Sequence, residues 1–164
     1  MISDAMQQAI SEQINLELFS AYTYLAMAEF CEANNLVGAA AWLRAQAKEE
    51  LEHAMKFYDH VLDRGGRVRL AAVQAPRSDY GSLLQVFEAA LAHEQQVSAA
   101  IHQLYERASA EKDYAALPLL QWFLDEQVEE ERTVGEIVAQ VKMVGESSTS
   151  LYFIDRHLGK RAES

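Results

Sequence analysis

The sequence predicts an all-α fold: a bundle of four long helices with a short fifth helix at its end. Three observations predict it. Ala, Leu, Glu and Gln dominate, and only two prolines and seven glycines interrupt 164 residues, a composition that favours long helices over strands. Apolar residues recur at steps of three and four through four separate stretches, the period of a helix with one face in a core. One long irregular connection divides the second stretch from the third, and in a compact domain such a connection needs a structural reason. With half of its residues hydrophobic, the chain suits one domain, 1–164, with a sizeable core.

The first helix covers about residues 5–33, with Ile10, Ile14, Leu18, Ala21, Leu25 and Ala28 on its stripe. Glu17 falls inside that stripe, and Tyr24 lies two turns on and about 20° round from it. Asn34, Asn35 and Gly38 mark a short turn, so the second helix, about 39–64, returns antiparallel. Its stripe reads Leu43, Ala47, Glu50, Ala54, Phe57 and Val61; Glu50 stands where an apolar residue belongs, and His53 borders it. Residues 65–81 hold Gly65-Gly66, Pro76 and Ser78-Asp79. Extended, this stretch reaches roughly 50 Å, while the helix before it spans about 39 Å. It can therefore run the length of the bundle and set helices two and three parallel.

Ser82-Leu83-Leu84-Gln85 resembles a capping box that opens the third helix, which continues to about residue 109. The stripe there is Leu83, Phe87, Ala90, Glu94, Val97, Ile101 and Leu104. The fourth helix covers about 114–144, with Pro118 tolerable near its first turn. Its stripe is Leu120, Leu124, Gln127, Glu131, Val134, Val138 and Val141, with Glu130 beside it. Gly145 breaks this helix, and a short fifth helix follows at about 148–159. Helices so short are marginal alone, so Tyr152, Phe153 and Ile154 are expected to pack against something.

Charge and composition exclude several classes. The formal charge of −11 argues against a nucleic-acid partner, which needs clustered Lys and Arg. No segment has the roughly 20 apolar residues of a membrane span, and the N-terminal stretch lacks the apolar run of a secretory signal. Cys31, the one cysteine, forms no intrachain disulfide and fits a reducing cytoplasm.

Glu50-x-x-His53 places an oxygen and a nitrogen ligand about 60° apart on one helical face. Alone it is a weak motif. Yet all four long helices carry a polar residue near the midpoint of an apolar stripe: Glu17, Glu50, Glu94 and Gln127. Midpoints share one level whichever way the helices run. A buried unpaired carboxylate costs several kcal/mol; Lys48, Lys56 and Arg132 fall off the stripes, and Glu17 and Glu94 have no Lys or Arg within a turn. Two divalent cations would neutralise the carboxylates of Glu17, Glu50, Glu94 and Glu130. Carboxylates with one imidazole suit iron or manganese, whereas zinc usually takes more Cys or His.

On these residues the chain resembles the bacterial non-haem ferritins over essentially its whole length. The likeness rests on Glu17 with Tyr24 in YTYL, EELEH at 49–53, Glu94, LQWF-x-x-EQVEEE at 120–131 and the closing LYFID at 151–155. It implies a ferritin-like four-helix bundle with one long crossover between helices 2 and 3 and a short fifth helix. It also implies a ferroxidase that oxidises Fe(II) with dioxygen or hydrogen peroxide and feeds a ferric mineral inside a hollow 24-mer shell. Glu17, Glu50 and His53 look like the first iron site. Bridging Glu50, with Glu94 and Glu130, looks like the second, and Gln127 lies beside it. Glu49, Glu126 and Glu129 look like a third, weaker site, and Tyr24 like the tyrosine next to the centre. Haem is not expected, because the haem-ligating Met of bacterioferritins aligns with Leu51, and those proteins have His where this chain has Glu130.

Two other readings stay open at this level: a di-iron oxidase or oxygenase acting on an organic substrate, and a catalytically silent storage subunit. Among the other conspicuous residues, His60, His93, His102 and His157 read as surface histidines, Trp42 and Trp122 as core or contact residues, and Cys31 as a small buried residue.

Overall fold

A computed structural model describes residues 1–163. The helices are α1 (Asp4–Ala33), α2 (Val37–Asp63), α3 (Leu83–Ala110), α4 (Leu117–Val144) and α5 (Ser148–Gly159), followed by a 3-10 turn at Lys160–Glu163. Among the described residues no strand is present and no helix is long and apolar enough to cross a membrane.

Local chemistry sets most helix ends. The Ser3, Ser82 and Ser147 hydroxyls accept from Met6 N, Gln85 N and Ser150 N, capping α1, α3 and α5, each satisfying a donor that has no partner inside the helix. Pro118 sits in the first turn of α4. Gly65, at φ 71°, ends α2 in the left-handed region that glycine enters without a Cβ penalty. The N-terminus of α2 has no such local cap. Its Gly38 and Ala39 amides instead donate to Asp155 of α5, at 3.1 and 2.7 Å. A carboxylate there also meets the positive end of the helix dipole. The approach is so close that a Cβ on Gly38 would overlap the Asp155 carbonyl oxygen. Asp155 thus anchors α5 across the start of α2, and Ile154 and Leu158 of the same helix are buried in the core.

The connection 64–82 runs the length of α1. Near its start the Arg67 and Arg69 amides donate to Gln7 Oε1 and Ser11 Oγ; near its end Tyr80 packs edge-on against Phe30. The chain therefore begins α3 at the end of the bundle where α2 also begins, and the two helices run parallel. Arg64 of the α2 terminus accordingly pairs with Asp113 in the α3–α4 turn at 2.7 Å.

The core divides into two apolar clusters. One, near the start of α1, includes Ile10, Ile14, Phe57, Val61, Ile101 and Phe123, with Phe57 and Phe123 stacked at 4.1 Å. The other, near the end of α1, includes Met27, Leu43, Phe87, Val134 and Val141. Between them lies a layer of buried polar side chains. On α2 and α3 every residue of the expected stripe is buried. On α1, Ile10, Ile14 and Ala28 of the expected stripe are buried together with Glu17 and Tyr24; Ser20, Thr23 and Met27 join them, while Leu18 and Ala21 are partly buried and Leu25 is half exposed. Ser20 and Thr23 can be buried because their hydroxyls donate to the Leu16 and Phe19 carbonyls one turn back. On α4, Phe123 and Glu130 take the buried positions and Leu124 and Glu131 lie at the margin.

Candidate metal centre

Mid-helix positions on four elements converge on the polar layer. α1 supplies Glu17 and Tyr24, α2 Glu50 and His53, α3 Glu94, and α4 Gln127 and Glu130, all buried. Glu17, Glu50 and His53 can each offer a ligand atom within 4.8 Å of the others, as can Glu50, Glu94 and Glu130. Glu50 belongs to both groups. A third group, His53, Glu126 and Glu130, meets the same limit. Glu49 is half exposed and Glu129 exposed, and neither enters these groups among the described residues. Gln127 donates to Glu94 Oε2 at 3.1 Å, to the Glu94 carbonyl and to Ser98 Oγ.

The donors around the carboxylates are neutral amides and a phenol. Gln13 donates to Glu17 Oε1 at 2.9 Å. Gln46 donates to Glu50 Oε1 at 2.9 Å and to Glu130 Oε2 at 2.8 Å. Tyr24 donates to Glu94 Oε1 at 2.6 Å. Gln13 and Gln46 were not expected from the sequence. Each stands four residues before its glutamate, so a Gln-x-x-x-Glu spacing on one helical face was the available signal.

Electrostatics then separate the four carboxyls. Burial first, and the charge of Glu50 second, push Glu17 well above the ordinary carboxylate range and Glu94 up to about 8. Burial, followed by Glu94 and Glu50, pushes Glu130 up to about 9. Burial also acts against charge on Glu50, but its contact with His53 Nδ1 at 3.2 Å and the Gln46 amide outweigh it, and its pKa falls. His53 moves up in return: burial opposes its charge, and the hydrogen bond and charge of Glu50 prevail. Burial and the neighbouring carboxylates thus favour the protonated form at Glu17, Glu94 and Glu130, while Glu50 and His53 favour each other's charged form. Glu17 Oε2 accepts no hydrogen bond although it is buried. A proton shared with Glu50, or a cation, is what can satisfy it. An unpartnered carboxylate oxygen aimed into a cluster of hard oxygen ligands with one imidazole fits a divalent transition metal.

Other residues differ from their sequence reading. His93 is buried and not at the surface: its Nε2 lies 2.6 Å from Ser20 Oγ, its ring meets Phe19 edge-on, and burial lowers its pKa. Its position one residue before Glu94 turns it toward α1, where Ser20 offers a polar partner. Trp42 is buried, whereas Trp122 is partly exposed, with Lys56 over its ring at 4.4 Å and His53 at its edge. Cys31 is buried and its thiol is pushed up to about 12, first by burial and then by Asp155, which leaves it unreactive.

The ferritin-like domain family matches residues 7–144. The chain belongs to the ferritin family. The bacterial non-heme ferritin of Staphylococcus saprophyticus is 39% identical over 162 residues, covering 99% of this chain and 97% of that one. Its counterpart in Staphylococcus aureus is 39% identical over 161 residues, covering 98% and 97%. Among solved structures, the open-pore ferritin of the hyperthermophilic archaeon Archaeoglobus fulgidus superposes with a TM-score of 0.95 at 46% identity, covering 96% of each chain. A closed form of that ferritin made by site-directed mutagenesis gives 0.95 at 45% identity over 97% of each. A family that stores iron accounts for an acidic layer in the middle of an otherwise apolar ferritin bundle.

Proposed function

We propose that this ferritin is an iron-storage ferroxidase, with Fe(II) as substrate and dioxygen or hydrogen peroxide as oxidant. The observation that carries this reading is the pair of buried ligand groups sharing Glu50. One Fe(II) is held by Glu17, Glu50 and His53, and a second by Glu50, Glu94 and Glu130, with Gln127 beside it. Glu49, Glu126 and Glu129 form an outlying site that receives iron on its way out. Each Fe(II) yields one electron. Two electrons and two protons convert dioxygen to hydrogen peroxide, or hydrogen peroxide to two waters.

The protein contributes positioning, charge and dryness. Glu50 bridges because its charge is already present, stabilised by His53 and Gln46. Glu17, Glu94 and Glu130 exchange protons for metal, so the layer stays near neutral with or without iron. Tyr24 orients Glu94 by its hydrogen bond. The two apolar clusters above and below keep bulk water away from the layer.

The ferric product is stored inside a hollow homo-oligomer, a 24-mer, in the cytoplasm. Tyr152 and Phe153 support assembly: they project from α5 at 57% and 66% exposure, an apolar surface that a neighbouring copy would cover. The test is anaerobic addition of Fe(II) to metal-free protein, followed by admission of oxygen. Wild type should show fast oxidation that saturates at two Fe(II) per subunit, and Glu94→Ala should lose that phase. Equal rates in both proteins would overturn the assignment.

A further inference from the structure

Arg161, on the 3-10 turn that follows α5, reaches back over α2 to the edge of the metal layer. Its guanidinium donates to Glu49 Oε1 at 2.9 Å and to Gln46 Oε1 at 3.1 Å, and it lies 4.3 Å over the Trp42 ring. Three of these features fix its place. Trp42 is buried and rigid, and stacking on an indole suits a planar guanidinium. Gln46 is buried, and its amide polarity is set by what surrounds it: its nitrogen faces the oxygens of Glu50 and Glu130, so only its oxygen is left for Arg161. The side chain of Arg161 is only 25% exposed, whereas that of Glu49 is 43% exposed. The cation is thus the more buried member of the pair, held at three partners, and the carboxylate is the more exposed one.

Glu49 is near enough for its charge to act on His53 and Glu130. Its oxygens stand outside the three ligand groups, and one of them, Oε1, lies 2.9 Å from Arg161. We propose that Arg161 is a positioning residue that holds Glu49 as the built-in counter-cation of the outlying metal site, and that a metal ion must displace it to recruit Glu49. This rests on the reading of Glu49 as a ligand of that outlying site. The arrangement makes the outlying site weak by competition. An ion leaving the inner centre meets a carboxylate that is already paired, binds only in transit, and gives Glu49 back to Arg161 when it departs. Lysine would supply the charge without the planar stack on Trp42 or the two-pronged hold on Gln46 and Glu49.

The test uses assembled, metal-free full-length protein titrated anaerobically with Co(II), read by calorimetry and by the visible absorption of the bound ion. The variants are R161Q, R161K, E49Q and R161Q/E49Q, each checked for shell assembly by gel filtration. R161Q should bind the outlying Co(II) about two- to fivefold more tightly than wild type, the scale of one partly exposed ion pair removed from the competitor. R161K should fall between the two, and it serves alone if R161Q does not assemble. The gain should vanish in R161Q/E49Q. Unchanged outlying affinity in R161Q or R161K, with that ion lost in E49Q, would overturn the role of Arg161 alone. A gain that survives in R161Q/E49Q would also overturn it. An E49Q protein that binds the same number of ions with wild-type affinities would overturn the outlying-site reading beneath it.

Discussion

Metal-free protein titrated with a divalent cation at pH 7 should release at least about two protons per subunit. The number comes from the polar layer. Glu94 at about 8 and Glu130 at about 9 each carry a proton at pH 7, and burial with the charge of Glu50 raises Glu17 in the same direction. Glu50, lowered by His53, is already ionised. Coordination by four carboxylates and a neutral imidazole expels those two protons, and Glu17 and His53, both raised, add whatever share they hold. Calorimetric titration with Co(II) under nitrogen, repeated in buffers of different ionisation enthalpy, counts them: the slope of observed enthalpy against buffer enthalpy is the number of protons released. A slope of one or below would refute the protonated centre, and with it the exchange of protons for metal as the way the layer stays neutral. The same shifts give the sign of the pH dependence. The folded-state pKa values are raised, so the native protein keeps protons that the unfolded chain gives up above about 4.5. Their stabilising contribution is complete below that pH and is lost as pH rises through about 8 and 9. For Glu94 alone the span from 4.5 to about 8 corresponds to roughly 5 kcal/mol. Melting of the metal-free protein should therefore fall from about pH 6 to pH 9, and metal-loaded protein should show a smaller fall.

Two further substitutions probe the scaffold and the centre separately. Gly38→Ala would bring a Cβ within 2.8 Å of the Asp155 carbonyl carbon, forcing α5 off the start of α2. The expected cost is about 1–3 kcal/mol, read as a lower melting temperature; an unchanged one would contradict the close approach. Tyr24→Phe removes the hydroxyl that holds Glu94 down. The Co(II) ion beside Glu94 should then bind several-fold more weakly, a loss of about 1 kcal/mol, with the number of bound ions unchanged. Equal affinity in a calorimetric titration would show that the phenol contributes nothing to that ligand's geometry.

Legibility in the sequence followed local rules. The stripes of α2 and α3 could be read because every residue at the three-and-four spacing is buried and all but Glu50 and Glu94 among them are apolar. On α1 the ends of the stripe and the Glu17–Tyr24 pair were legible, but its middle was not, since Ser20 and Thr23 are buried there and Leu25 is half exposed. Hydropathy treats a hydroxyl as solvated, whereas these hydroxyls are paired with backbone or with Glu94. His93 was misplaced for the same reason, because its partner Ser20 lies on another helix. Gln13 and Gln46 left a spacing that went unread. Asp155 could be recognised in LYFID without showing what it caps.

By itself the sequence determined the helices, the Ser82 cap of α3, the crossover that lets α2 and α3 run parallel, and the level at which carboxylates interrupt the core. Helical period, turn residues and chain reach are properties of contiguous residues, and they survive without knowledge of neighbours. Only the tertiary structure decided which carboxylates lie together, which oxygen of Glu17 lacks a donor, that Asp155 closes the open end of α2, and that Arg161 pairs with Glu49. Those outcomes depend on burial and on distances between residues more than a hundred positions apart, such as Glu49 and Arg161. Burial and long-range distance set the charge state of the centre, and neither is a property of any local stretch of chain.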